Sequence, residues 1–405
     1  MRRLLPYLLL ALVGCGSGTE QAPPETAAEA PAAFKQERKF LYPATFKEGR
    51  PFTPGVMAGQ TLYLSGVVGA DPMTGERPAS IADQTKRAME NVGLILKEAG
   101  LTYSDLVSCH VQLTDMENYK AMNEVYGSFY EEGKYPARTT LEMAGLVGGN
   151  EIEITCTAYA GEKTVIKAAE GAAPPAMGPY SSAIKAGNTM YLSGQGGRDP
   201  VTNEVAPTSE AQTARTLQTI GAILEAGGLG FKNVAFSNVY YHTASDLAGI
   251  NKAYAEKFAD GTAPSRGAFH LSGLPGTINV EITFIAAADD YITRLYPPDT
   301  QPGALESPAS LTGGTLYLSA ATAAGDTVEA QMRALMAEQE ARLKRANMTF
   351  ANVVDAKVYL GDVADFKAMN DVFVQYFAEN PPSRTTVGVN FTGGEKLAIA
   401  FIAVE

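Results

Sequence analysis

The chain is expected to be an α+β protein made of three tandem copies of one domain, and three observations lead there. The tetrapeptide Pro-Ala-Arg-Thr at Pro136–Thr139 returns as Pro-Ser-Arg-Gly at Pro264–Gly267 and as Pro-Ser-Arg-Thr at Pro382–Thr385. Its arginines, Arg138, Arg266 and Arg384, are therefore 128 and 118 residues apart. A fixed period sets architecture before any local assignment, and this one has the length of a whole domain rather than of a solenoid repeat. Leu-Tyr-Leu-Ser-Gly at Leu62–Gly66 likewise recurs as Met190–Gly194 and, ending in alanine, as Leu316–Ala320. Within each period, stretches of strand character alternate with two amphipathic helical stretches.

The elements of one copy follow in order. An extended pair comes first, with a turn at Asp71–Gly75 that Asp199-Pro200 repeats in the second copy. A helix is expected from about Ile81 to Ala99, because Ala88, Val92, Ile95, Leu96 and Ala99 share one face. Ile220, Ile223 and Leu224 repeat that stripe. The third copy breaks it with Gln339 and Arg342, so a frayed or differently packed helix is expected there. A strand (Val107–Leu113), a second helix (Met116–Tyr130) and a closing pair of strands (Thr139–Met143, Glu151–Ala158) complete the unit. Two helices then cover one face of an antiparallel-rich sheet, and the bare faces of three copies have one another to pack against. From Ser65/Ser193 to Glu153/Glu281 the first two copies run ungapped at a spacing of 128. The third has lost a seven-residue turn between Ser319 and Gln331.

The N-terminal region reads differently. Arg2 and Arg3 precede an apolar run from Leu4 to Val13, too short to span a bilayer and suited to a signal segment. Leu12-Val13-Gly14-Cys15 is similar to a bacterial lipobox, whose cysteine becomes lipidated; an ordinary cleaved signal is the plainer alternative. Residues 16–38 are rich in Gly, Ala, Pro and Glu and cannot offset their ordering entropy, so they read as a flexible tether. The expected organisation is signal 1–15, tether 16–38, and domains at 39–162, 163–292 and 293–405. Anchoring at the cell envelope follows, with the outer membrane facing the periplasm as the expected site and the lipid as the one membrane contact. A net charge of −12 repels phosphate backbones and argues against nucleic acid. Cys109 and Cys156 are free to pair in an oxidising compartment or to stay buried as thiols. No Cys, His and Asp cluster has metal-ligand spacing, and His110, His242 and His270 are scattered, which favours structural or solvated roles.

The middle copy carries Gly178-Pro179-Tyr180-Ser181, Ser193-Gly194-Gln195, Gln212-Thr213, Asn251, Pro264-Ser265-Arg266 and Val280-Glu281-Ile282. In that order and spacing it resembles the reactive intermediate deaminase family (Rid, or YjgF-like), and the resemblance extends over about residues 40–405. It implies a chorismate-mutase-like fold, sites between adjacent domains and a covalent pseudo-trimer with no obligatory protein partner. The implied activity is hydrolysis of 2-imino acids, or their enamine tautomers, to 2-keto acids and ammonia without a cofactor.

The residues support such chemistry. A guanidinium offers a carboxylate a bidentate fork worth roughly 1.5–3 kcal/mol, and Arg138, Arg266 and Arg384 can each hold one unless they serve structural salt bridges. Glu153 and Glu281 stand among apolar strand neighbours, where an unpaired carboxylate is costly. The resemblance gives them the role of activating water and returning the proton to departing ammonia. Ser65, Ser193 and Ser319 end a strand and can position water or substrate. Asn123, Asn251 and Asn370 either contact ligand or pack a helix. The second copy has every element: Tyr180, Ser193, Gly194, Asn251, Arg266 and Glu281. The first has Phe52 for the tyrosine. The third has Ala320 for the glycine, Leu305-Glu306 for Pro-Tyr and Ala398 for the glutamate, so Arg384 is expected to be catalytically silent. A binding module for small carboxylates and a holdase or scaffold are the competing readings; the first has no need of both glutamates.

Overall fold

The computed structural model describes residues 36–289, 291–377 and 379–405, so the signal segment, Cys15 and the tether up to residue 35 lie outside the described residues. No helix among the described residues is long and apolar enough to cross a membrane. Residues before 39 take part in the described fold. The Gln36 N–H donates to Glu405 O at 2.8 Å, and Arg38, expected to close the tether, opens the first strand.

Domain 1 contains β1 (Arg38–Leu41), β2 (Gly55–Ala58), β3 (Thr61–Leu64), β4 (Val67–Val68), α1 (Ile81–Glu98), β5 (Leu106–Leu113), α2 (Tyr119–Gly127), β6 (Ala137–Glu142), β7 (Gly145–Leu146) and β8 (Ile152–Tyr159). Domain 2 repeats this as β9 (Lys163–Ile166), β10 (Ala183–Ala186), β11 (Thr189–Leu192), β12 (Gln195–Gly196), α3 (Ser209–Ala226), β13 (Val234–Tyr241), α4 (Leu247–Ala255), β14 (Ser265–His270) and β15 (Val280–Ala287). Domain 3 has β16 (Thr293–Leu295), β17 (Ala309–Thr312), β18 (Thr315–Thr322), α5 (Val328–Arg345), β19 (Val353–Leu360), α6 (Phe366–Tyr376), β20 (Ser383–Gly388) and β21 (Leu397–Val404). Each sheet is mixed: β6, β14 and β20 run parallel to β5, β13 and β19, and the other pairings are antiparallel. The expected closing pair is not a pair, because β5 lies between β6 and β8. The second helix is shorter than expected, a 3₁₀ turn over Met116–Asn118 leading into α2.

Local chemistry sets the long helices identically in all three domains. Ser80, Thr208 and Thr327 cap α1, α3 and α5 by accepting from the N–H groups of Asp83, Ala211 and Ala330. Each helix ends where Gly100, Gly228 or Asn347 takes a left-handed φ of 73°, 76° or 57°. The next residue's N–H then reaches back to Leu96, Leu224 or Leu343 O, the six-to-one bond of a Schellman stop. The third helix is not frayed. Gln339 Nε2 donates to Ser319 O and Ile399 O, and Arg342 Nη1 donates to Ser319 O at 2.8 Å, so both polar side chains are buried with partners.

One face of each sheet packs on its own helices and forms a domain core. The other faces meet at a common axis. Val107 and Ala137 of domain 1 pack on Ile184 and Tyr191 of domain 2; Phe236 of domain 2 packs on Tyr317 of domain 3; Val354 of domain 3 packs on Val56 and Tyr63 of domain 1. The arrangement is thus cyclic, and β7 of domain 1 extends the third sheet by pairing with β20. The same hydrogen bonds stitch all three joints. The backbone N–H of Arg138 donates to Ser193 Oγ, that of Arg266 to Ser319 Oγ and that of Arg384 to Ser65 Oγ, each at 2.8 Å. Each serine in turn donates to the carbonyl of Ser181, Ser307 or Thr53. Cys109 and Cys156, in register on β5 and β8, form a disulfide in domain 1.

Replacing one stitching serine leaves a buried N–H without an acceptor, at a cost of about 1–3 kcal/mol. Ser193→Ala is therefore expected to lower the denaturant midpoint by that equivalent at unchanged slope; a midpoint equal to wild type would remove these serines from the account of domain assembly.

Candidate functional site

Arg138 is the second residue of β6, and its stitch to Ser193 fixes where the side chain leaves the backbone. The guanidinium is 3% exposed. It lies over Tyr119, Tyr126 and Tyr180 at 5.8, 5.1 and 5.3 Å from the ring centroids, with Nη2 donating to the Tyr119 hydroxyl at 3.3 Å. Nη1 has no partner, nor has the nearby Asn123 Oδ1. Gly178 of domain 2 passes directly above: a Cβ there would stand 2.7 Å from Arg138 Nη2 and 3.1 Å from Asn123 Oδ1. A side chain there would have to displace the guanidinium or the Asn123 amide.

Glu281, second residue of β15, faces the same space from domain 2 and is 5% exposed. Its carboxyl lies against the Gly194 backbone so closely that a Cβ there would be 1.8 Å from Oε1. Burial raises its pKa to about 8, against a smaller lowering by Arg138. Arg138, Tyr119, Tyr180, Gly194 and Glu281 line one cavity of 60 Å³ between domains 1 and 2.

The pseudo-threefold repeats this construction between domains 3 and 1. Arg384, 3% exposed, lies over Phe52, Phe366 and Phe373 at 5.2, 5.4 and 4.8 Å. None of its three guanidinium nitrogens has a hydrogen-bond partner, and burial lowers its pKa to about 9. Glu153 lies against Gly66 as Glu281 does against Gly194. Burial raises its pKa to about 8, opposed by Lys357, Arg384 and the Thr386 N–H.

Between domains 2 and 3 the construction changes. Arg266 lies 4.5 Å from the Tyr254 ring and donates through Nη2 to Asn251 Oδ1 at 2.7 Å. Ala398 occupies the β21 position that Glu281 holds in β15, and Ala320 stands in place of Gly194. Glu306, in the place of Tyr180, carries a pKa raised by burial and pulled back by Arg266 and Arg342.

Two expectations are corrected here. The six elements counted in the second copy belong to two different sites: Tyr180, Ser193, Gly194 and Glu281 join Arg138 and Asn123, whereas Asn251 and Arg266 face domain 3. Arg384 is not beside a missing glutamate, because its partner is Glu153, and the arginine facing the alanine is Arg266. The physical reason is the cyclic packing, which hands each arginine to the next domain. Ser65, Ser193 and Ser319 use their hydroxyls on backbone groups rather than aiming them into a cavity. Tyr119, Tyr126, Phe366 and Phe373 escaped the sequence reading, although Tyr119, Asn123 and Tyr126 share one face of α2 at helical spacing. A separate cavity of 90 Å³ on the axis contains His110 and the Lys357–Asp355 ion pair but none of the three arginines. Burial, with Lys357 nearby, lowers the His110 pKa to about 4.

The family model described as endoribonuclease L-PSP matches residues 44–160, 170–288 and 307–405. The mouse 2-iminobutanoate/2-iminopropanoate deaminase is 36% identical over 112 residues, covering 27% of this chain and 82% of that protein. A RutC family protein of Pyrococcus horikoshii is 42% identical over 115 residues, 28% of this chain and 90% of that protein. The crystal structure of RidA from an Antarctic Psychrobacter is 36% identical, with 31% of this chain and 98% of that one covered and a TM-score of 0.29. With three matches that together span most of its length, the chain belongs to the endoribonuclease L-PSP family, which includes the Rid proteins.

Proposed function

We propose that this protein hydrolyses 2-imino acids to 2-oxo acids and ammonia at two interdomain sites, Arg138 with Glu281 and Arg384 with Glu153. One observation carries the reading: a buried guanidinium of one domain and a buried carboxyl titrating near neutrality from the next face a common space. Relatives named 2-iminobutanoate/2-iminopropanoate deaminase support it. The net charge of −12 and the enclosed arginines argue against an RNA substrate.

In the bound state Arg138 holds the substrate carboxylate through a charge-assisted pair. The imine carbon then faces Glu281. A carboxyl with a pKa of about 8 both gives and takes a proton near neutral pH. Protonated, it donates to the imine nitrogen. As carboxylate, it takes a proton from water while the water oxygen bonds to carbon and the C=N pair moves onto nitrogen. The resulting carbinolamine passes its hydroxyl proton through the same carboxylate to nitrogen, the C–N bond breaks, and ammonia and the 2-oxo acid leave. Water is consumed and no electrons are gained or lost. At the third joint Ala398 has no proton to move, so that space does not turn over. We also infer that lipid on Cys15 holds the chain at the cell envelope, from the lipobox pattern. Cys15→Ser is expected to shift the protein from the membrane to the soluble fraction; unchanged fractionation counts against the anchor.

The assay is ammonia release from 2-iminobutanoate made in situ by an amino-acid oxidase. Glu281→Gln preserves shape and is expected to lower kcat by about 10²–10⁴-fold at the Arg138 site, with little effect on affinity for the 2-oxo product. With the other site silenced by Glu153→Gln, Arg138→Ala is expected to lower kcat/KM by about 10- to 150-fold through loss of a charged hydrogen bond. Arg266→Ala is expected to lower it far less. An Arg266→Ala loss equal to that of Arg138→Ala would reverse the assignment.

Stability carries a second signature. Both glutamates have folded pKa values near 8, above the ordinary value of 4.5, so the native state holds more protons than the unfolded one between those limits. Their contribution is complete below about pH 4.5 and is lost as pH rises towards 8. The double variant Glu153→Gln/Glu281→Gln is expected to flatten the decline in unfolding free energy from pH 5 to 8.5; a decline as steep as wild type would contradict the buried-carboxyl account.

A further inference from the structure

The two Arg–Glu sites differ in ways that the deaminase reading leaves unexplained. The Arg138 site is closed by the segment 174–177, held by two phenolic hydroxyls. The Met177 N–H donates to the Tyr180 hydroxyl at 3.0 Å, and the Tyr119 hydroxyl donates to Met177 O at 3.5 Å. The cavity is 60 Å³, room for roughly four to six water-sized bodies. That suits a short substrate. At the Arg384 site the equivalent rings are Phe52 and Phe366, which lack both hydroxyls, and Gly49 stands in the place of Met177. The latch is gone, and a cleft of 570 Å³ lined by Phe52, Ser65 and Gly66, though by neither Arg384 nor Glu153, adjoins the pair on the far side of the Phe52 ring and the Gly66 backbone.

Charge changes with size. Arg50 stands in the place of Gly178, the glycine that caps the guanidinium at the closed site. It lies beside Phe46 and Phe52 at 5.4 and 5.8 Å, and its Nε and Nη2 donate to the carbonyls of Lys47 and Pro72. Lys47 and Arg77 line the same cleft. The one carboxylate there, Asp71, is occupied by Arg87 at 3.5 Å and by the N–H groups of its own turn. Three cations therefore line this cleft on a chain whose net charge is −12, whereas the Arg138 cavity has one besides Arg138 itself, Arg198. Arg50 and Arg384 also share the Phe52 ring, so their guanidinium carbons lie no more than about 11 Å apart. A five-carbon chain spans about 5 Å between its terminal carbons, and a bidentate pair at each end adds about 4 Å. The reach between guanidinium carbons is then about 13 Å when extended, so a dicarboxylate of four or five carbons, bent to fit, covers the separation of the two arginines.

Building on the deaminase reading, we propose that the two sites divide substrates. The Arg138–Glu281 site takes short 2-imino acids, and the Arg384–Glu153 site takes 2-imino acids whose longer side chain ends in a second carboxylate, with Arg50 as the residue that selects it. The reaction is the same at both sites; the selection lies in the space beside each pair and in Arg50.

The test compares kcat/KM for 2-iminobutanoate and 2-iminoglutarate, each generated by an oxidase, in the full soluble chain. Glu281→Gln is expected to shift the ratio of the two constants at least tenfold towards 2-iminoglutarate, and Glu153→Gln at least tenfold the other way. Arg50→Gln, which keeps most of the side-chain volume, is expected to raise KM for 2-iminoglutarate about tenfold and to weaken 2-oxoglutarate binding by calorimetry to the same degree. Equal ratios in wild type and both glutamine variants, or wild-type turnover of 2-iminobutanoate alone, would overturn the division while leaving the deaminase reading intact. Turnover of neither imine would defeat both.

Discussion

The structure depends on one repeated bond: the backbone N–H of the arginine at the second position of β6, β14 or β20, given to a serine hydroxyl in the following domain. The bond fixes three things at once. It satisfies a buried donor at the joint, where the alternative is a desolvated N–H. It sets the register between neighbouring sheets, because the serine is itself tied to the carbonyl twelve positions before it. And it places the arginine side chain where the next domain's glycine and glutamate meet. A site built this way exists only when the domains are joined, so assembly and chemistry share one set of contacts.

The second constraint is steric, and it explains a paired change in sequence. Glu153 and Glu281 fit because Gly66 and Gly194 have no side chain: a Cβ at either would overlap the carboxyl. In domain 3 both partners change together, to Ala320 and Ala398. Alanine at the first position requires the carboxyl to be absent, and removing the carboxyl frees room for a methyl group. The third joint then takes its negative charge from Glu306 and a further cation from Arg342, buried against carbonyls. At this joint a glutamate lies within electrostatic reach of two arginines.

Much of this was legible in the sequence, and the remainder has a physical reason for being hidden. The period of the arginine motif gave the three domains, and capping serine and threonine with left-handed stops at Gly100, Gly228 and Asn347 explain why the helices begin and end where they do. Arg138, Arg384, Glu153 and Glu281 were visible as charges placed in apolar strands. Their partnership was not, since it depends on the direction of the cyclic packing, and spacing within one copy suggests the wrong pairs. The order of strands was misread for a related reason. β8 and β6 are neighbours in sequence but flank β5 in space, and nothing local distinguishes a parallel edge strand from an antiparallel neighbour. Gln339 and Arg342 look like defects in an apolar stripe. They are tolerated because the strand opposite supplies carbonyl acceptors, which no helical pattern reveals.

Joining three domains in one chain removes a restriction that symmetry imposes. In a homotrimer each substitution appears at every joint, so a change that suits one site alters all three. Here each joint takes its arginine, helix face and carboxyl from different stretches of a single chain, and these stretches vary independently. The effect is visible in the rings around the guanidinium. Arg138 has three tyrosines, Arg384 three phenylalanines and Arg266 one tyrosine with a glutamate opposite. A hydroxyl on such a ring can hold a covering segment or accept from the arginine; its loss opens the space and leaves the cation without a partner. Because a buried, unpartnered guanidinium is costly, an open phenylalanine-lined site depends on an incoming anion for compensation more strongly than a closed tyrosine-lined one. The same fold thereby holds, in one molecule, three differently lined interdomain joints, each following from a few side chains at equivalent positions.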